Sequence, residues 1–297
     1  DGIYLTALEY PALSLPEADK QSRYERLRSS LGTITCSFEP VSVATLRGLL
    51  PGSKEHLRTD LQGLRSLLGV PNDDSSALTL SDVGFLDFLQ DRSRAGDRFY
   101  VDTDGIHNDM LERSFKIMAQ ELQQDVCKLK MPGTLVSDLA PGKVEEHVSP
   151  HLSYCCRRWI DHLVSIADSP AKQALLRDHG PVHAFLLTKF PEWLEALSLL
   201  GQAPIAFAAV NRLLPLLDHR KSPQLSSLLQ DANRFVLSNR WVIETAPLQI
   251  YCSGLVFSPK KSLIRKQFSH QIPAWISTTP PVEEDWNPAL FELTGYA

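Results

Sequence analysis

Apolar residues recur at three- and four-residue spacing along almost the whole chain, in stretches of about ten to twenty residues separated by proline, glycine and serine breaks. That rhythm confines the fold to short amphipathic helices packed against one another. Ser42 stands before VATLRGLL, whose Leu46, Leu49 and Leu50 share a face, and Pro51 stops the run. Ser53 is placed to cap KEHLRTDLQGLRSLLG, with Leu57, Leu61, Leu64 and Leu68 in register and Gly69 at the end. The charged stretch EADKQSRYERLRSSLG reads as an earlier helix, VPNDDSS as a loop, ALTL (Ala77 to Leu80) as a brief strand, and VGFLDFLQD as a further short helix. Three helices followed by an extended segment suggest a winged-helix-like module over the first hundred residues or so.

From His107 onwards no strand stands out. Leu111, Phe115, Met118 and Leu122 form one stripe, and Leu152, Cys156, Trp159 and Leu163 another. KMPGTLVSDLAPGKVEEHVSP reads as a connector. A helix is expected from Ser169 towards Lys189, with Pro191 opening the next, EWLEALSLL, which Gly201 closes. Ser222-Pro223 and Ser258-Pro259 each pair a capping residue with a proline suited to the first helical position. The fold expected is mainly α: a winged-helix-like N-terminal module, then an irregular bundle of antiparallel helical hairpins without a fixed repeat. The corresponding divisions are 1–102, 103–276 and a linker over 277–297. Candidate hinges lie at Met131–Pro150 and Ser277–Pro281.

A length of 297 residues suits about two domains. The 43% hydrophobic content is enough for a sizeable core. A net charge of −5 is a poor basis for holding a polyanion, so no nucleic-acid partner is expected. No apolar run reaches the roughly 20 residues that span a bilayer, and no membrane partner is expected. The chain begins at Asp1 with no basic-then-apolar leader, and is expected to be part of something longer. Its five cysteines lack C-x-x-C spacing and are expected to be reduced, buried thiols of a cytoplasmic protein.

Motifs for chemistry are missing. There is no G-x-x-x-x-G-K-[ST], no G-x-G-x-x-G and no G-x-S-x-G. His147 with His151, and His179 with His183, are four apart, but Pro150 and Gly180-Pro181 interrupt those runs, and no metal site is expected. The carboxylates read as solvated helix faces. The helix after Ser53 carries Lys54, Arg58 and Arg65 against Glu55 and Asp60, too even a balance for a phosphate-seeking surface. Lys260, Lys261, Arg265 and Lys266 read as a solvated face, with contact to an acidic surface or lipid as the sharper alternative. Phe185, Phe190, Trp193 and Phe207 read as core.

Several segments resemble the region that follows the NTPase core in fungal NACHT–WD-repeat proteins, members of the STAND class of signalling ATPases similar to the heterokaryon-incompatibility proteins. They are HLSYCCRRWIDHL, FPEWLEALSLLG, the long block LLQDANRFVLSNRWVIETAPLQIYCSGLVFSPKKSLIRKQF, and IPAWISTTPPVEEDW. The earlier DGIYLTALEY, SFEPVSVATLRGLL, LRSLLGVPNDDSSALTL, GFLDFL and DVCKLKMPGTLVSDL fit the same family, and ELTGYA resembles the opening of a WD repeat with Tyr296 in place of its usual His. The resemblance implies a non-catalytic regulatory segment with no cofactor of its own, ATP or ADP being held by a NACHT module upstream in the same chain. A WD-repeat propeller downstream and homo-oligomerisation on activation are the other implied partners. In the family a histidine of a His-Pro-Ser-Phe-x-[DE]-Phe motif reaches the nucleotide phosphate. Here Phe85, Asp87 and Phe88 fit that motif, and Asp82 stands where the histidine would. The alternatives are a winged-helix DNA-binding regulator and a free-standing helical protein-interaction scaffold.

Overall fold

The computed structural model describes residues 1–13, 15–50, 56–80 and 82–287. They are mainly helical, and divide into two compact units. The expected cap Ser53, with Lys54 and Glu55, and the ELTGYA end lie outside the described residues.

The first unit comprises residues 1–114 and 161–166. It holds α1 (Gly2–Glu9), α2 (Glu17–Thr35), α3 (Val43–Leu49), α4 (Leu57–Gln62), the strands β1 (Leu68–Gly69) and β2 (Thr79–Leu80), then α5 (Gly84–Gln90), α6 (Arg92–Phe99) and α7 (Thr103–Glu121) as far as Ser114. β1 and β2 pair antiparallel, Leu68 opposite Leu80 and Gly69 opposite Thr79, and Ser42 forms an antiparallel bridge to Ala77. The order is therefore helix, bridge, two helices and a small hairpin. Ser42 caps α3 by accepting from the Thr45 amide at 3.1 Å.

α4 is shorter than its leucine spacing suggests. It ends at Gln62, and Leu64, Leu67 and Leu68 are buried through turns and β1 instead. Pairing with β2 takes Leu68 and Gly69 out of the helix, an override of local periodicity by tertiary hydrogen bonding. Asp60 of α4 is 4% exposed and faces two α2 arginines: Arg26 Nε donates to it at 2.9 Å, and Arg23 Nε stands 3.4 Å away as a neighbouring charge.

The second unit comprises 115–160 and the described residues from 167 onwards. After the remainder of α7 come α8 (Lys143–His147), α9 (Pro150–Ser165) as far as Ile160, α10 (Pro170–Leu175), α11 (Pro181–Leu199), α12 (Ala203–Leu213), α13 (Pro223–Ser238), α14 (Arg240–Thr245), α15 (Ser253–Phe257) and α16 (Leu263–Phe268). Its core is aromatic. Trp159 and Trp193 meet edge-on at 5.8 Å, Phe185 lies 5.4 Å from Trp159, and Phe190 meets Phe235 at 6.2 Å. The Trp193 indole donates to the Cys156 carbonyl at 2.9 Å. Phe207 is only half-buried, under the Arg240 guanidinium.

Three local expectations are corrected here. The helix foreseen from Ser169 towards Lys189 is two helices, α10 and α11, because the chain turns between them at His179-Gly180, with His179 at φ 63°. Pro191 does not open a helix; it lies inside α11. A proline there leaves the carbonyl four residues back without its helical donor. That carbonyl, of Leu187, accepts from Gln267 Nε2 at 2.9 Å. Finally, Pro223 takes the first position of α13 behind Ser222 as expected, but neither Ser222 nor Ser258 makes a side-chain cap bond. Ser222 and Ser258 donate their hydroxyls to the Leu176 and Gly254 carbonyls. Asp178 takes the first amides of α13, from Gln224 and Leu225, and Ser262 caps α16.

Candidate functional site

The sequence singles out Asp82, just ahead of α5. Its Oδ1 accepts from the Gly84 amide at 2.9 Å, and its Oδ2 from the Tyr4 hydroxyl of α1 at 2.5 Å. These bonds, the tyrosine's first, hold the carboxyl below its usual pKa, so it is an exposed anion at neutral pH. The aromatic residues of the motif do different work. Phe85 and Phe88 are fully buried, and Tyr4 packs on both at 5.4 and 5.2 Å. Asp87 is exposed. The stretch is thus a hydrophobic anchor for α1, carrying a solvent-facing carboxylate already engaged by two donors of the chain.

A cleft elsewhere in the same unit has a volume of about 900 Å³ and is lined by Glu25, Asp97, Asp102 and Asp109 against Arg28 and Arg92. Asp82 does not line it. Arg92 is spoken for, its guanidinium 2.7 Å from Asp97. The surplus of carboxylates makes the cleft hostile to a phosphate. On the α4 side of the unit, Asp74 binds Arg47 at 2.7 Å and Arg58 at 2.5 Å.

The second unit contains a site the sequence reading missed. Glu192 and Glu195 of α11 are 5% and 0% exposed, not on a solvated face as expected. Glu195 Oε2 accepts from the Tyr251 hydroxyl at 2.6 Å and the Asp125 amide at 3.0 Å, and Oε1 from the Val126 amide at 2.9 Å. Burial pushes its pKa up to about 7, against the pull of those three donors. The segment it grips is strained. Asp125, Lys128 and Lys130 all have left-handed backbone, at φ 57°, 54° and 66°. The Asp125 carboxylate folds back onto the Leu129 and Lys130 amides at 2.6 and 2.9 Å, and Lys189 Nζ donates to the Leu122 carbonyl at 2.6 Å. A buried acid flanked by tryptophan and leucine was the available signal, since the run Phe190–Leu199 is apolar at every position but the two glutamates and Ser198.

Of the histidine pairs noted by spacing, His179 and His183 lie side by side, their rings 5.7 Å apart, while His147 and His151 have separate partners. His147 contacts the Lys143 carbonyl, and His151 lies 2.9 Å from Glu121. His183 Nδ1 accepts from the backbone amide of His179 at 2.9 Å. A further pair, 55 residues apart, also meets: the Nδ1 atoms of His107 and His162 are 2.9 Å apart, with Phe38 stacked on His107. One of these nitrogens must be the acceptor, so both cannot carry a proton there. Among the described residues no group of three or more His, Cys, Asp or Glu could hold a metal, and no helix is long and apolar enough to cross a membrane. The five cysteines are free and buried.

No family model matches the sequence, and no solved structure matches it. Over 186 residues, however, it is 40% identical to vegetative incompatibility protein HET-E-1 of Podospora anserina. The chain is similar to a stretch of a fungal incompatibility protein. The aligned span is 62% of this chain and 14% of HET-E-1. The resemblance to the fungal NACHT–WD-repeat incompatibility proteins therefore holds.

Proposed function

We propose that the chain is a non-catalytic regulatory segment of a STAND/NACHT signalling ATPase. In this reading it couples a WD-repeat sensor downstream to the nucleotide state of an NTPase upstream, in cytoplasmic incompatibility-type signalling. The similarity to HET-E-1 carries the proposal. Nucleotide state can move such a segment only if one arrangement contacts the nucleotide better than the other. The winged-helix reading of the first unit is supported by its order of elements, with Ser42 bridged to Ala77 and β1 paired to β2 behind α3 and α4. The segment itself carries no ATP or ADP, and homo-oligomerisation belongs to the activated full-length protein.

Asp82 bears on how nucleotide is sensed. A charged carboxylate repels a diphosphate where the family's histidine would bond to it. Asp82→His in the full-length protein is expected to slow ADP release and lower basal signalling; an unchanged ADP off-rate removes Asp82 from the reading. Two observations disfavour binding of DNA or membrane. Arg47 and Arg58 are both engaged by Asp74, and Lys260 and Lys261 are paired with carboxylates of the chain. The direct test is to read the gene upstream of Asp1 for a P-loop and downstream of Ala297 for WD repeats. Finding neither refutes the proposal. The purified chain is expected neither to hydrolyse ATP nor to bind it tightly, and micromolar ATP binding contradicts the part of the proposal that gives the segment no nucleotide of its own.

A further inference from the structure

The basic run at Lys260 and Lys261 is not bare. Residues 283–286 lie along it, in a pattern that uses backbone and side chains together. The Lys260 and Lys261 amides donate to the Glu283 and Glu284 carbonyls, each at 3.0 Å. The ammonium groups reach one residue further on, Lys260 to Glu284 at 2.8 Å and Lys261 to Asp285 at 2.7 Å. Beyond the acids, the Trp286 indole donates to Asp231 Oδ1 at 2.6 Å. The other oxygen of Asp231 is committed to the start of α16, accepting from Ser262 Oγ and the Ile264 amide, both at 2.8 Å. Two parallel backbone bonds, two charge pairs in step and one indole acceptor read the order acid, acid, tryptophan over Glu284–Trp286, with Glu283 held by its carbonyl alone.

We propose that Lys260, Lys261 and Asp231 form a recognition site for an acidic, tryptophan-bearing peptide segment, occupied by the chain's own residues 283–286 as a releasable latch. The latch's strength lies in the sum of small parts. All four charged side chains are more than half exposed, and exposed ion pairs are individually weak and screened by salt. The latch therefore opens with rising ionic strength without unfolding the helices beneath it. It is read from the second unit alone and stands whether or not the chain serves a signalling ATPase.

Amide hydrogen exchange on the whole 297-residue chain tests this. The double reversal E284K/D285K, and separately K260E/K261E, are expected to speed exchange over 260–264 and 283–287 by about 2- to 30-fold, the range two exposed pairs can supply. Exchange in α11 stays unchanged. Combining all four substitutions restores protection, and raising salt mimics the double reversals in the wild-type chain. Failure of the fourfold variant to recover protection, or exchange over 260–264 indifferent to salt, overturns the proposal. So does protection of 260–264 that depends on added phosphatidylserine vesicles and not on the tail charges.

Discussion

Replacing Glu195 by glutamine keeps the side chain's size while removing its charge and one acceptor, so it isolates what burial does to this acid. The folded-state pKa of about 7 lies above the ordinary 4.5. The folded chain thus binds more protons than the unfolded one between those values, and this contribution to stability is present at low pH and lost as pH rises through 7. At about 1.4 kcal/mol per pH unit, the loss amounts to about 3 kcal/mol. The glutamine variant has no such dependence. Its amide nitrogen must face one of the donors at Tyr251, Asp125 or Val126, a pH-independent cost of about 1–3 kcal/mol. Wild type minus variant stability should therefore fall by about 3 kcal/mol from pH 4.5 to 8, with most of the change complete by pH 7.5. Urea unfolding followed by tryptophan fluorescence reads the correct unit, because all five tryptophans (159, 193, 241, 275 and 286) lie in the second one. A difference flat in pH refutes the reasoning. A difference that grows with pH would mean the three hydrogen bonds outweigh burial.

Two further outcomes are expected. Gly180→Ala places a methyl group within 2.8–2.9 Å of the backbone carbonyls of Ala174, Leu175 and Arg177; these cannot rotate away as a side chain could, so the second unit should lose about 1–3 kcal/mol in the same urea assay, and a loss below about 0.5 kcal/mol would show the turn to be pliable. The five buried thiols, with Cys36 and Cys127 pushed up to about 11 by burial, should resist a disulfide reagent at pH 8 in native buffer and all react in urea; one thiol reacting natively at the rate of a free cysteine contradicts this.

Much of the local architecture was legible because apolar spacing and backbone sterics are local. The spacing of Leu152, Cys156, Trp159 and Leu163 puts them on one face, and all four are buried on α9. Ser42 stands at a capping position in the sequence, and its side chain accepts from the Thr45 amide. The misreadings share a cause. Pro191 breaks a helix only if nothing else satisfies the Leu187 carbonyl, and its donor, Gln267, lies 80 residues away. Ser222 and Ser258 caps were displaced because Asp178 and Ser262 occupy the helix starts. Lys260 and Lys261 are exposed, as the solvated-face reading expects, but their pairing with Glu284 and Asp285 depends on a segment 24 residues away.

The order of residues alone settled that this chain is helical, where most helices run, and which fungal proteins it resembles, since those follow from periodicity, capping and shared segments. Tertiary structure decided which polar groups are buried and which donors meet them. Glu195, Tyr251 and Val126 are brought together only by packing, and a carboxylate's chemistry is set by the water it loses and the donors it gains, neither of which is written in its neighbours along the chain.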